Sequence, residues 1–138
     1  MARHHPDLPI AETLGLTPIP GWQGEVDVAL VPGNRITTEA VLFHHPSRTA
    51  IFADLLQQFP KGWFTGWRGL VARLDLMQGP IPQVPRKFRL AFTDLPAARK
   101  AVAQILDWPT DQILIAHGTP ITTDGQAHLA RAFRWLMR

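Results

Sequence analysis

Apolar and polar positions first organise at Glu25-Val26-Asp27-Val28-Ala29-Leu30-Val31, where alternation and β-branching predict a strand that Pro32-Gly33-Asn34 ends. Two further apolar runs, Ala40-Val41-Leu42-Phe43 and Thr49-Ala50-Ile51-Phe52-Ala53, flank His44-His45-Pro46-Ser47-Arg48 and predict a hairpin with a five-residue loop. Asp54 follows directly and suits the cap of a short helix through Leu55, Leu56 and Phe59, ended by Pro60 and Gly62. Over residues 63–77, Trp63, Trp67, Leu70, Val71, Leu74 and Met77 recur at three- and four-residue spacing, the mark of an amphipathic helix. A stiff connector follows at Gly79-Pro80-Ile81-Pro82 and Pro85, then a second helix from about Thr93-Asp94, with Pro96 in its first turn, to Leu106. Gln112-Ile113-Leu114-Ile115-Ala116 reads as a strand covered on both faces, stopped by His117-Gly118-Thr119-Pro120. A last helix over residues 124–137 gathers Ala127, Ala130, Ala132, Phe133 and Leu136 near one face.

Strand, hairpin, helices, strand, helix is the order of an α/β fold: a mixed β-sheet with helices on one face. Residues 1–24, with Pro6, Pro9, Pro18 and Pro20, form a proline-rich lead-in anchored by Leu14, Leu16 and Trp22, and residues 25–138 form the domain. The strands at 41–43, 50–53 and 113–116 look apolar on both faces, yet three helices cover only one. The second face then needs either another sheet or another subunit, so a homo-oligomer is expected.

Composition narrows the function classes. At 138 residues, 46% hydrophobic and 18% charged, the chain suffices for one domain with a real core. No apolar run reaches the roughly 18 residues of a membrane span, and no apolar stretch follows Met1-Ala2-Arg3-His4-His5-Pro6 as a secretory signal would. Cysteine is absent, which excludes disulfides and thiolate metal sites and fits a cytoplasmic bacterial-type protein. The sequence pI of about 10.2 accompanies a net charge of only +3. With no Tyr or Cys, nothing titrates between His and the lysines Lys61, Lys87 and Lys100, so missing buffers explain the pI and a nucleic-acid partner is not called for.

Candidate chemistry concentrates at one sheet edge. Asp54 ends the second hairpin strand, and His117 ends the later strand. Asn34 precedes the strand that pairs antiparallel with that of Asp54. If the last strand runs parallel to residues 49–53, all three converge at the carboxyl edge that favours ligands in α/β sheets. A carboxylate and an imidazole there suit Zn²⁺ or another divalent metal, and one Asp can bridge two ions that generate a hydroxide. His44 and His45 sit at the far end of the hairpin, about 15 Å away at ~3.3 Å per residue, and cannot join. His4 and His5 say nothing specific, and His128 reads as a solvated helix residue.

Val31-Pro32-Gly33-Asn34, Ile51-Phe52-Ala53-Asp54-Leu55-Leu56 and Ile115-Ala116-His117-Gly118, in that order, resemble the C-terminal half of the metallo-β-lactamase fold over roughly residues 10–137. The resemblance is to an uncharacterised, degenerate bacterial branch of that superfamily. It implies half of an αββα sandwich, with Asp54 as the metal-bridging carboxylate, His117 as the last ligand and Zn, Fe or Mn as the metal. Two departures stand against activity. Nothing in residues 1–40 resembles the superfamily's first histidine-rich cluster, and Asn34 occupies a ligand position that calls for histidine.

Plainer roles compete at each position: a helix cap for Asp54, a turn histidine for His117, a turn residue for Asn34 and a loop pair for His44-His45. Core packing accounts for most of Trp63, Phe64, Trp67, Trp108, Phe133 and Trp135, whereas exposure of Trp63, Phe64 or Trp67 would signal a subunit contact. Arg131, Arg134 and Arg138 can bind an anion or form a solvated basic face near a helix C-terminus. The resulting expectation is a truncated or degenerate domain without autonomous catalysis that self-associates. The alternative is a metal-dependent hydrolase using Asp54 and His117 with ligands from a partner chain or a missing N-terminal half. A nucleic-acid-binding module ranks last.

Overall fold

The computed structural model describes residues 19–22 and 24–138. Leu14, Leu16, His4 and His5 lie outside them, while Trp22 closes a single 3₁₀ turn, Pro20–Trp22, and is partly buried. Four strands follow the alternation expected of them: β1 (Val26–Val31), β2 (Glu39–His44), β3 (Thr49–Gln58) and β4 (Gln112–Gly118). They lie side by side in chain order, with β1–β2 and β2–β3 antiparallel and β3–β4 parallel. The protein is therefore α/β with a four-stranded mixed sheet.

The parallel step from β3 to β4 requires a crossover, which carries α1 (Gly66–Leu74), α2 (Arg86–Ala91) and α3 (Leu95–Asp107). After β4 comes α4 (Gly125–Phe133). α3 starts where the sequence indicates, because the Asp94 side chain accepts the amide N–H of Ala97 at 3.0 Å beside a proline in the first turn. α2 was not foreseen. Its six residues lack a side-chain cap and are held by Asp75, whose carboxylate accepts the amide of Lys87 at 2.7 Å.

Alternate strand positions supply one continuous core. Ala29 and Val31, Val41 and Phe43, Ala50 and Phe52, and Ile113 and Ile115 pack with Phe88, with Ala98, Val102 and Ile105, and with Leu129, Ala132 and Phe133. Phe43 stacks on Trp108 at 5.2 Å between centroids, closing the core beyond the end of α3. In α4 the inward face is Leu129, Ala132 and Phe133, and Ala127 and Ala130 turn to solvent, which corrects the face assigned from sequence.

Three expectations fail for identifiable reasons. β4 is not covered on both faces: it alternates buried and exposed residues, and Leu114 is exposed. Its outer edge is instead protected by Ile121, which exchanges two backbone hydrogen bonds with Ile113. No helix follows Asp54; β3 continues to Gln58. α1 does form, but its stripe of Trp67, Leu70, Val71 and Leu74 faces outward. Its inward positions are Gly69, where a Cβ would lie 2.7 Å from the carbonyl oxygen of Phe64, and buried Ala72. Gly69 thereby lets the first turn of α1 lie close against the Phe64 carbonyl that precedes it.

Opposite the helices, Val28, Leu42, Ile51 and Leu114 stand in register across all four strands. This apolar row is the second face that the sequence leaves without a cover, although only Leu114 of the four is largely exposed.

The turn after β1 fixes the sheet to α3. Gly33 has φ +81°, its carbonyl accepts the amide of Thr93 at 2.8 Å, and an added Cβ would lie 2.8 Å from the Cβ of Asp94. Gly33→Ala therefore meets both left-handed backbone strain and a steric clash, and should lower the unfolding free energy by about 2 kcal/mol in urea denaturation.

Candidate functional site

The strand directions bring the ends of β1, β3 and β4 and the start of β2 to one edge. Asn34, Glu39, Asp54 and His117 all belong to that edge. Asp54 and His117 meet, Glu39 lies beneath them, and Asn34 is engaged elsewhere.

β3 is where the geometry is made. Phe52 pairs with Ile115, and unbroken register would set Asp54 opposite His117; instead Gln57 takes that place, leaving an irregularity between Phe52 and Gln57. A bulge of this kind strands backbone amides inside the protein. Glu39, the first residue of β2 and only 3% exposed, satisfies them. Its Oε1 accepts the amide N–H of Ala53 at 2.6 Å, and its Oε2 accepts that of Asp54 at 3.1 Å. The side chain thus continues the β2–β3 ladder past its last regular pair, Leu42 with Ile51. Burial pushes the Glu39 carboxyl above the usual carboxylate value; bonds from the Asp54, Ala53 and Leu55 amides oppose the rise, and the charge of Asp54 adds to it. Glu39 escaped the sequence reading because a glutamate at the start of an apolar strand reads as a solvated end.

Asp54 leaves the bulge toward β4, where the Nε2–H of His117 donates to its Oδ1 at 2.9 Å. Both side chains are close to half exposed, 46% for His117 and 49% for Asp54. Phe59 stacks on the imidazole at 6.2 Å and also packs against Trp63 and Phe64, so the edge is continuous with the aromatic lead into α1. The carboxylate fixes one imidazole nitrogen as a donor, an arrangement that orients the ring for proton transfer or for ligation through Nδ1.

The remaining sequence candidates are accounted for locally. Asn34 donates its amide to the Phe88 carbonyl at 2.8 Å and accepts the Ile36 amide at 2.9 Å, tying the β1–β2 connection to α2. His44 bonds Ser47 and His45 bonds Asp27, both at the opposite end of the hairpin. His128, on α4, is partly buried. These side chains do not fit a catalytic metal within one chain. The two Glu39 oxygens are taken by backbone amides, Asn34 is a neutral amide already bonded twice, and Asp54 and His117 face one another. Among the described residues, no group of three His, Cys, Asp or Glu side chains could hold a metal ion, and a catalytic zinc takes three protein ligands.

No family model matches the chain, and no curated protein matches it. Also, no helix among the described residues is long and apolar enough to cross a membrane.

Removing the Glu39 carboxylate should orphan the bulge amides. Glu39→Ala is expected to cost about 1–3 kcal/mol of stability, with a pH signature. A raised folded-state value means the native protein holds this proton more tightly than the unfolded chain. Its stabilising contribution is fully present below the ordinary value of 4.5 and declines as pH rises through the raised one. Urea denaturation should show a larger wild-type advantage over Glu39→Ala at pH 4 than at pH 7.

Proposed function

We propose that this chain is a metallo-β-lactamase-like half domain, without autonomous catalysis, that works by self-association. The order of Asn34, Asp54 and His117 along one carboxyl edge supports the relation to that fold. The engagement of Asn34 and Glu39 by backbone groups supports the loss of an independent metal site.

The observation that carries the self-association is the outer face of α1 and the turn before it. Trp63 is 64% exposed, Trp67 72%, Leu70 60%, Val71 52% and Leu74 57%. The two indoles alone present on the order of 250 Å² of apolar surface, at roughly 200 Å² per whole Trp side chain. With three aliphatic side chains beside them, the patch reaches the few hundred Å² that soluble monomers rarely exceed. A shallow apolar groove of 170 Å³ between Phe64, Trp67, Val71 and Met77 gives it relief into which a side chain of a second copy fits. The row Val28, Leu42, Ile51 and Leu114 on the sheet is a second, flatter surface for the same purpose. The α1 face is the stronger of the two because its side chains are more than half exposed.

A second reading is favoured by the contact path from His117 through Phe59 to Trp63. A copy docked on this aromatic surface would stand beside the Asp54–His117 edge and could add ligands for Zn, Fe or Mn, making a shared hydrolytic site.

Light scattering and elemental analysis on the same chelator-free preparation separate these readings. A metal-free dimer is expected, with Trp67→Asp shifting it to monomer while circular dichroism stays unchanged. A wild-type monomer would overturn self-association. One or more metal ions per chain, lost in both Asp54→Ala and His117→Ala, would replace the first reading with the shared hydrolase.

A further inference from the structure

The strongest concentration of unpaired charge lies away from the Asp54–His117 edge. A cleft of 360 Å³ is lined by Arg89 from α2, by Arg131 of α4, and by Arg134 and Arg138 in the residues after it, together with Trp135 and Gln83. Its volume falls at the lower end of the range of small-molecule sites, about 300–1,000 Å³. Among the described residues, none of the four guanidinium groups pairs with a carboxylate.

An ordinary helix-end role does not explain them. Basic residues at a helix C-terminus serve to bind its last carbonyls. Among the described residues the side chains of Arg131, Arg134 and Arg138 bond none of those carbonyls, and Arg99 of α3 donates to the carbonyls of Leu136 at 2.7 Å and Arg138 at 3.4 Å, beyond the end of α4 at Phe133. Arg131 lies in the last turn of α4, Arg134 is its C-cap and Arg138 follows past the turn, and all three line the cleft. Arg89 is held in place independently: its Nε donates to the Val84 carbonyl at 2.8 Å, its Nη2 to Gln83 at 3.4 Å, and its guanidinium lies 5.4 Å from the centre of the Trp135 ring. Burial, and then the neighbouring charge of Arg86, lowers its pKa from the usual arginine value. Gathering like charges without a counter-charge costs free energy in the empty state.

We propose that this cleft is a binding site for a small oligophosphate, of which pyrophosphate is the simplest representative. Guanidinium forks match phosphate oxygens two at a time. A single phosphate group accommodates about two such forks; Arg89 already spends Nε and Nη2 within the protein, and the free forks of Arg131, Arg134 and Arg138 still exceed that number, which points to at least two linked phosphates.

The test is isothermal titration of the full-length chain with pyrophosphate at physiological salt, beside the Arg131→Gln/Arg134→Gln double variant. Neither of those arginines donates a hydrogen bond within the described protein, so the double variant should fold, as circular dichroism will show. Saturable one-to-one binding by wild type, weakened about tenfold or more in the double variant, is expected from the loss of charge-assisted bonds. No saturable binding, or binding unchanged in the double variant, would overturn the proposal. A short single-stranded oligonucleotide tests the other source of phosphate. If it binds more tightly than pyrophosphate and steeply loses affinity with salt, the cleft belongs to a nucleic-acid surface and the small-ligand assignment fails.

Discussion

Glu39 is a buried carboxylate whose two oxygens hold the amides of Ala53 and Asp54, and the geometry of the functional edge depends on that contact. β3 is the longest strand in the described protein and the only one that pairs on its two sides in opposite senses, antiparallel to β2 and parallel to β4. Its register slips between Phe52 and Gln57, and the slip lets Leu55 and Leu56, adjacent in sequence, both be fully buried. A regular strand would send them to opposite faces. The cost is a set of amides with no ladder partner, and a neutral side chain at position 39 would satisfy only part of it. A carboxylate offers two strong acceptors at once, which is why a charged group is retained where solvation is poor.

The same slip decides what the carboxyl edge can do. It projects Asp54 sideways into hydrogen bonding with His117, and it consumes the one other carboxylate near enough to matter. Acid groups spent on backbone amides are not available to a cation. The edge therefore presents an oriented imidazole and an exposed carboxylate, a pair that depends on a further contributor for metal chemistry. Phe59 lies against the imidazole and against the aromatic residues leading to α1. The exposed apolar face that begins at Trp63 and the polar edge at His117 are therefore joined through Phe59.

Much of this was legible along the chain, and the pieces that were not share a cause. The hairpin, β4 and α3 follow from signals carried within a few residues: alternation, a polar turn, and Asp94 with proline behind it. The convergence of Asp54 with His117 was legible only on the condition that β4 runs parallel to β3, and the slip that sets their contact was not. Neither was the extension of β3, because Asp54-Leu55-Leu56 is a sound local helix start, and what overrides it is Glu39, fifteen residues upstream of Asp54, through a bond seen only in three dimensions. α1 was predicted as a helix with its bulky stripe inward. Period specifies that a stripe exists and leaves open which side the fold will use.

Charge illustrates the same distinction between a sum and an arrangement. A net charge of +3 gives little reason to expect an anion partner, and the high pI follows from absent buffering groups. Neither quantity records position. Arg131, Arg134 and Arg138 lie at the end of α4 and in the residues just past it, and Arg89 is brought against them by α2, an element too short and too weakly capped to be read from sequence. The field inside a cleft depends on which charges share it and on the low-dielectric walls between them. Four guanidinium groups there, balanced over the whole molecule by carboxylates located elsewhere, make a local potential that the total conceals.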